Sequence, residues 1–111
     1  MRTIKVDIST STKGVIVFAK GKTCYDDWIL LVTKVEDIGS PNGLRIYGHI
    51  FYNIRNNRWY FSEGDENYAW GNTNHWKFFE PTKEQKQLLV DALKEKGYKC
   101  VPVLNKIIYK R

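Results

Sequence analysis

Cysteine is scarce in this chain: Cys24 and Cys100 stand far apart, and neither belongs to a C-x-x-C pair. That excludes a disulfide framework or a paired-thiolate zinc site as the source of stability, and the expectation is two free thiols in a reducing compartment. Proline is also scarce, with three residues, and Gly14, Gly21, Gly39 and Gly43 never gather into a phosphate-cradling loop. No apolar run approaches the length of a membrane-spanning helix, and the alternating start, Met1 to Ile8, lacks the apolar core of a secretory signal. A cytoplasmic protein with no membrane partner is expected. Acidic residues are the minority charge, twelve against eighteen Lys and Arg, for a net charge of +6. Such a balance suits nucleic acid, an acidic protein or an anionic surface without choosing among them.

Aromatic residues, by contrast, are plentiful at 14%, within a hydrophobic content of 42%. That is enough for a packed interior, and 111 residues leave no room for a second one, so a single domain spanning 1–111 is expected. It divides into a β-rich portion, 1–80, and a helix plus hairpin, 81–111. The charge divides too. Residues 1–81 hold ten Lys and Arg against nine Asp and Glu, whereas residues 82–111 hold eight against three.

Strand-like alternation appears at Thr3–Ile8, with Ile4, Val6 and Ile8 on one face, and at Gly14–Ala19, with Val15 and Val17 opposed to Ile16 and Phe18. Trp28–Val35 is apolar on both faces, rich in branched side chains and bounded by Asp26-Asp27 and Glu36-Asp37, which predicts a central strand. Ile38–Gly43 is dense in turn formers and predicts a loop. Leu44–Ile54 and Arg58–Ser62 flank Arg55-Asn56-Asn57, and because Asn tolerates positive φ the pattern predicts a β-hairpin. Its first arm puts Leu44, Ile46, Gly48, Ile50 and Tyr52 on one face and Arg45, Tyr47, His49, Phe51 and Asn53 on the other, with Gly48 marking a bulge or bend. Glu63–Asn74 reads as a polar loop, and His75–Phe79 as the strand that ends the β portion.

Thr82-Lys-Glu-Gln85 fits a capping box after Pro81, so a helix is expected from about Lys83, with Leu88, Leu89, Ala92 and Leu93 on one face and Gly97 as its left-handed stop. Tyr98–Val103 and Lys106–Tyr109 then predict a hairpin around Leu104-Asn105, with Pro102 on an edge strand. These elements amount to an α+β fold: an antiparallel, strongly bent sheet or SH3-like small barrel, then one helix and a C-terminal β-hairpin. An unbroken antiparallel sheet of six or seven strands under one helix is the second arrangement.

The string Glu80-Pro-Thr-Lys-Glu-Gln-Lys-Gln-Leu-Leu-Val-Asp-Ala-Leu-Lys-Glu-Lys-Gly-Tyr-Lys resembles the C-terminal module of small proteins encoded by phages and mobile elements of Bacteroides-type gut bacteria. In that module a P-T-x-E-x-K-x-L-L-x-x-A-L-x-x-x-G-Y helix precedes a short hairpin. The resemblance spans Phe79 to about Tyr109, and Cys100 stands where a Trp is usual. It implies an accessory protein of unknown function and brings no catalytic residues with it.

No constellation in the sequence points to catalysis. His49, His75, Cys24 and Cys100 are too scattered for a metal site, and neither a metal nor a cofactor is expected. From Asp65 an EF-hand loop would place Gly and Glu where Trp70 and Trp76 stand. Glu63, Asp65 and Glu66 lie in a polar stretch that would not desolvate one of them, and Cys24 has only Lys22 as a basic neighbour.

Binding remains. The leading expectation is a non-catalytic adaptor with a protein partner. The alternative is single-stranded nucleic acid on the hairpin strip Arg45, Tyr47, His49, Phe51, Arg55, Arg58 and Tyr60, aided by Lys99, Lys106 and Lys110. If the helix covers that side of the sheet, the same aromatics are core. Lys94, Lys96 and Arg111 extend the basic tail, as a surface for an acidic partner or as solvated charge.

Overall fold

A strand that is apolar on both faces must be covered on both, and the architecture follows from that. The computed structural model describes residues 3, 14–22, 25–37, 44–61, 69–72, 75–103 and 106–110. Its elements are β1 (Val15–Gly21), β2 (Trp28–Asp37), β3 (Leu44–Asn53), β4 (Arg58–Phe61), β5 (Ala69–Asn72), β6 (Trp76–Phe79), α1 (Lys83–Glu95), β7 (Lys99–Val103) and β8 (Lys106–Lys110). The fold is α+β, with one antiparallel sheet in the path β4-β3-β2-β1-β8-β7, to which β5 adds on β3 and β6 on β1.

The expected strand at Thr3–Ile8 is described only at Thr3, which bridges Phe79; the rest of it, the Ile38–Gly43 loop and the Leu104-Asn105 turn lie outside the described residues. The stretch read as one polar loop, Glu63–Asn74, contains β5. Only four residues long and holding Gly and Asn, it gives no run that sequence patterning could detect.

β4 and β5 lie in succession along one edge of β3, opposite its later and earlier halves. On a flat sheet β5 and β6 would stand four strand spacings apart, about 19 Å. Residues 73–75 join them, and that link spans at most about 14 Å. The sheet must therefore curl. Among the described residues β5 and β6 do not pair, so the ring stays open, and the strongly bent sheet is the form observed.

Two apolar clusters fill the two faces. Inside the curl lie Val17, Leu30, Val32, Val35, Ile46, Phe51, Trp76 and Phe78. On the outer face Ile16, Phe18, Ile29, Leu31, Ile50 and Tyr52 receive Leu89, Ala92 and Leu93 of α1, and Tyr98. The membership changes parity along the strands: Ile46 and Phe51 share the inner face, while Ile50 and Tyr52 share the outer one. This corrects the simple alternation expected for Leu44–Tyr52. Two register shifts between β2 and β3, around Val32, each insert one residue, and an inserted residue flips every later side chain to the opposite face. Gly48 sits at this irregularity, where a Cβ would collide with the Leu30 side chain and lie 2.9 Å from the Leu31 carbonyl oxygen.

The helix obeys its capping signals. Thr82 Oγ1 accepts from Gln85 N–H at 3.1 Å, and Gln85 Oε1 accepts from Thr82 N–H at 2.9 Å. Gly97, at φ 93°, terminates it. Leu88, expected on the buried stripe, is 42% exposed, because it lies on the flank beyond Ala92. No helix among the described residues is long and apolar enough to cross a membrane.

Candidate functional site

The hairpin strip comes apart in three dimensions. Phe51 is 1% exposed in the inner cluster, stacked on Tyr60 with centroids 5.1 Å apart and meeting Trp28 edge-on at 4.7 Å. Tyr47 is buried as well, donates to Glu36 Oε1 at 3.2 Å and lies under the Lys34 ammonium. A base cannot stack on a ring enclosed by protein, so Tyr47 and Phe51 are corrected from candidate contacts to core. The curl of the sheet buries Phe51 on the face opposite α1, and Tyr47 is covered by Lys34. Tyr60 is half-buried against the same cluster.

The cations of the strip stay outside. Arg45 lies 3.9 Å from Glu36, Arg55 donates to Asp26 Oδ1 at 3.1 Å, and Arg58 is exposed. Lys99 is exposed on β7, remote in topology from β3. The side chains of His49, Lys106 and Lys110 lie outside the described part, as do Cys24 and Arg111.

Arg55 belongs to a polar clip that closes the end of the sheet where the β1–β2 and β3–β4 connections meet. Asn53, 1% exposed, donates from Nδ2 to Asp26 Oδ2 at 3.0 Å and accepts the Asn56 N–H at 3.1 Å. Trp76 Nε1 donates to the Asp26 carbonyl at 2.9 Å, and the Asp27 carboxylate accepts the Gly21 N–H at 2.9 Å. Gly21 is obligatory there, since a Cβ would fall within the Tyr25 backbone carbonyl. Hydrogen bonds from Asn53 and then Arg55 hold the Asp26 carboxyl below its ordinary value. Tyr52 and Asn57, the latter at φ 52°, bond across the β3–β4 turn.

Sequence reasoning missed a second group beside this clip. In the β1–β6 ladder Lys20 stands directly opposite Lys77, and just beyond the ladder's last pair the Lys22 N–H donates to the His75 carbonyl at 2.9 Å. Tyr25, 39% exposed, stacks on His75 with centroids 4.6 Å apart. Lys20 and Lys77 are 57 positions apart, and only the register joins them. Lys20-Gly-Lys22 and His75-Trp-Lys77 were the available signal, two short alternating basic pairs that cannot be matched without knowing which strands meet.

In the C-terminal unit Lys94, Lys96 and Lys99 are exposed, and no described acid lies within ion-pair distance of them. Lys96 caps the Trp59 ring at 5.4 Å. β7 ends the strand order as an edge and presents Val101, 55% exposed. Cys100 is a free, half-buried thiol whose pKa burial pushes up, against the opposing pull of Lys94. Among the described residues no three His, Cys, Asp or Glu side chains gather where they could hold a metal ion.

No protein-family model, curated protein or solved structure matches this chain.

Proposed function

We propose that the chain is a non-catalytic adaptor that binds a protein partner along β7, an accessory protein of the kind phages and mobile elements encode. The observation that carries this reading is Val101, the most exposed large apolar side chain among the described residues, on an edge strand near Lys94 and Lys99, which no described acid pairs. An edge strand offers main-chain hydrogen bonds to an added strand, and flanking ammonium groups favour a segment that carries carboxylates. Pro102 has no N–H to give and limits such pairing to the earlier part of β7. The partner that fits is an extended acidic segment with an apolar residue to set against Val101. The phage and mobile-element origin rests on the Glu80–Lys99 string alone.

The test is affinity capture at physiological salt with the wild-type protein and Val101→Glu, after confirming equal melting temperatures. A partner retained by the wild type and lost by V101E, whose acidic segment binds as an isolated peptide, is the expected result. Equal capture by both would overturn this reading of β7.

A further inference from the structure

We propose that the end of the β1–β6 ladder binds single-stranded nucleic acid, with Lys20, Lys22 and Lys77 taking phosphates and Tyr25 offering its ring to a base. The residues lie outside β7, and the inference is independent of the adaptor reading.

Directly opposed residues of an antiparallel ladder share a face, with Cβ atoms about 5 Å apart, and residues two apart along a strand lie about 7 Å apart on that face. Lys20 and Lys77 therefore stand side by side on the face that carries Phe18 and Phe79, and Lys22 is joined to His75 just beyond the end of the ladder. Like charges directly opposite each other destabilise a sheet, and here no described acid pairs with Lys20, Lys22 or Lys77. The acids nearest Lys20 and Lys22 in sequence are already engaged: Asp26 by Asn53 and Arg55, and Asp27 by the Gly21 N–H. Among the described residues no acid neutralises these lysines, and the phosphates of a ligand would. The Lys77 ammonium rests 5.7 Å from the Phe79 centroid, a weak hold that a phosphate would outbid.

The aromatic partner selects the ligand. Tyr25 is fixed by a hydrogen bond from its N–H to the Lys22 carbonyl at 3.1 Å and by its stack on His75, and it meets Trp76 at 4.9 Å. An exposed, braced ring beside a cluster of ammonium groups is how proteins hold an unpaired base next to its phosphate, whereas a duplex keeps its bases stacked inside.

The experiment is fluorescence anisotropy of a short labelled oligothymidylate. With three phosphates neutralised, affinity should fall roughly twentyfold between about 50 and about 200 mM salt. The double variant K20Q/K77Q should bind at least about tenfold more weakly at the lower salt and show a correspondingly shallower salt slope. Tyr25→Ala should cost about fivefold or more while Tyr25→Phe keeps the affinity, which separates a stacking ring from a structural one. The charge-matched control K94Q/K99Q should lose less than about threefold. Equal losses in the two lysine pairs would reduce the binding to diffuse charge and overturn the site. So would the absence of saturable binding at the lower salt, or displacement by equimolar thymidine monophosphate or duplex.

Discussion

The hairpin strip and the ladder end are made of the same residue types, aromatic rings among cations, yet they are opposites in space. In the strip the rings of Tyr47 and Phe51 are inside, and Arg45 and Arg55 are bound to Glu36 and Asp26. At the ladder end the ring of Tyr25 is on the surface and the lysines have no described acid to pair with. Composition alone cannot tell such groups apart. Register and curvature decide which of them a ligand can reach.

The largest expected effect tests the strip. Phe51→Ala removes a fully buried ring from the inner cluster and should cost about 3–5 kcal/mol, read as an early midpoint in urea denaturation. Arg58→Ala, on the exposed side of the same hairpin, should stay within about 0.5 kcal/mol. A Phe51→Ala protein as stable as the wild type would return that ring to the surface and erase the contrast.

Much of the fold was legible because its signals are local. Thr82, Gln85 and Gly97 delimit α1 within one turn at each end, and the apolar run from Trp28 identifies β2 through its own alternation. What escaped is what two distant segments decide together. The parity change at Gly48 depends on how β2 and β3 slip past each other, and the Lys20–Lys77 pair depends on β6 returning to β1 after the whole hairpin has intervened. The burial of Phe51 follows from sheet curvature, which no single strand carries in its pattern.

The polar clip lies between the two groups and has the next largest effect. Asn53→Ala leaves the Asn56 N–H without its acceptor and takes from Asp26 its principal hydrogen bond, so a loss of about 1–3 kcal/mol is expected at neutral pH. The pH dependence has a definite sign. The folded-state pKa of Asp26 is depressed, so its contribution is complete above the ordinary value of 3.8 and is lost as pH falls through the lower folded value. In Asn53→Ala that pKa returns toward 3.8, and the stability gap between wild type and variant should narrow below this value. Denaturation midpoints measured across that range report it, and a gap that widens toward acid would mean that the Asn53 bond does not hold Asp26 ionised.

The smallest effect is the most discriminating, because stability and binding should move in opposite directions. Lys77→Glu replaces a like-charge cross-strand pair with an opposite-charge one facing Lys20, and such pairs contribute roughly 0.2–1 kcal/mol. The variant should therefore melt slightly higher than the wild type, with a difference that shrinks as salt screens the pair. Its affinity for single strands should fall at the same time, since the introduced carboxylate repels phosphate where an ammonium had attracted it. A lower melting temperature would show that Lys77 supports the fold through its packing on Phe79, and the ladder lysines would then be structural, as the residues of the strip are.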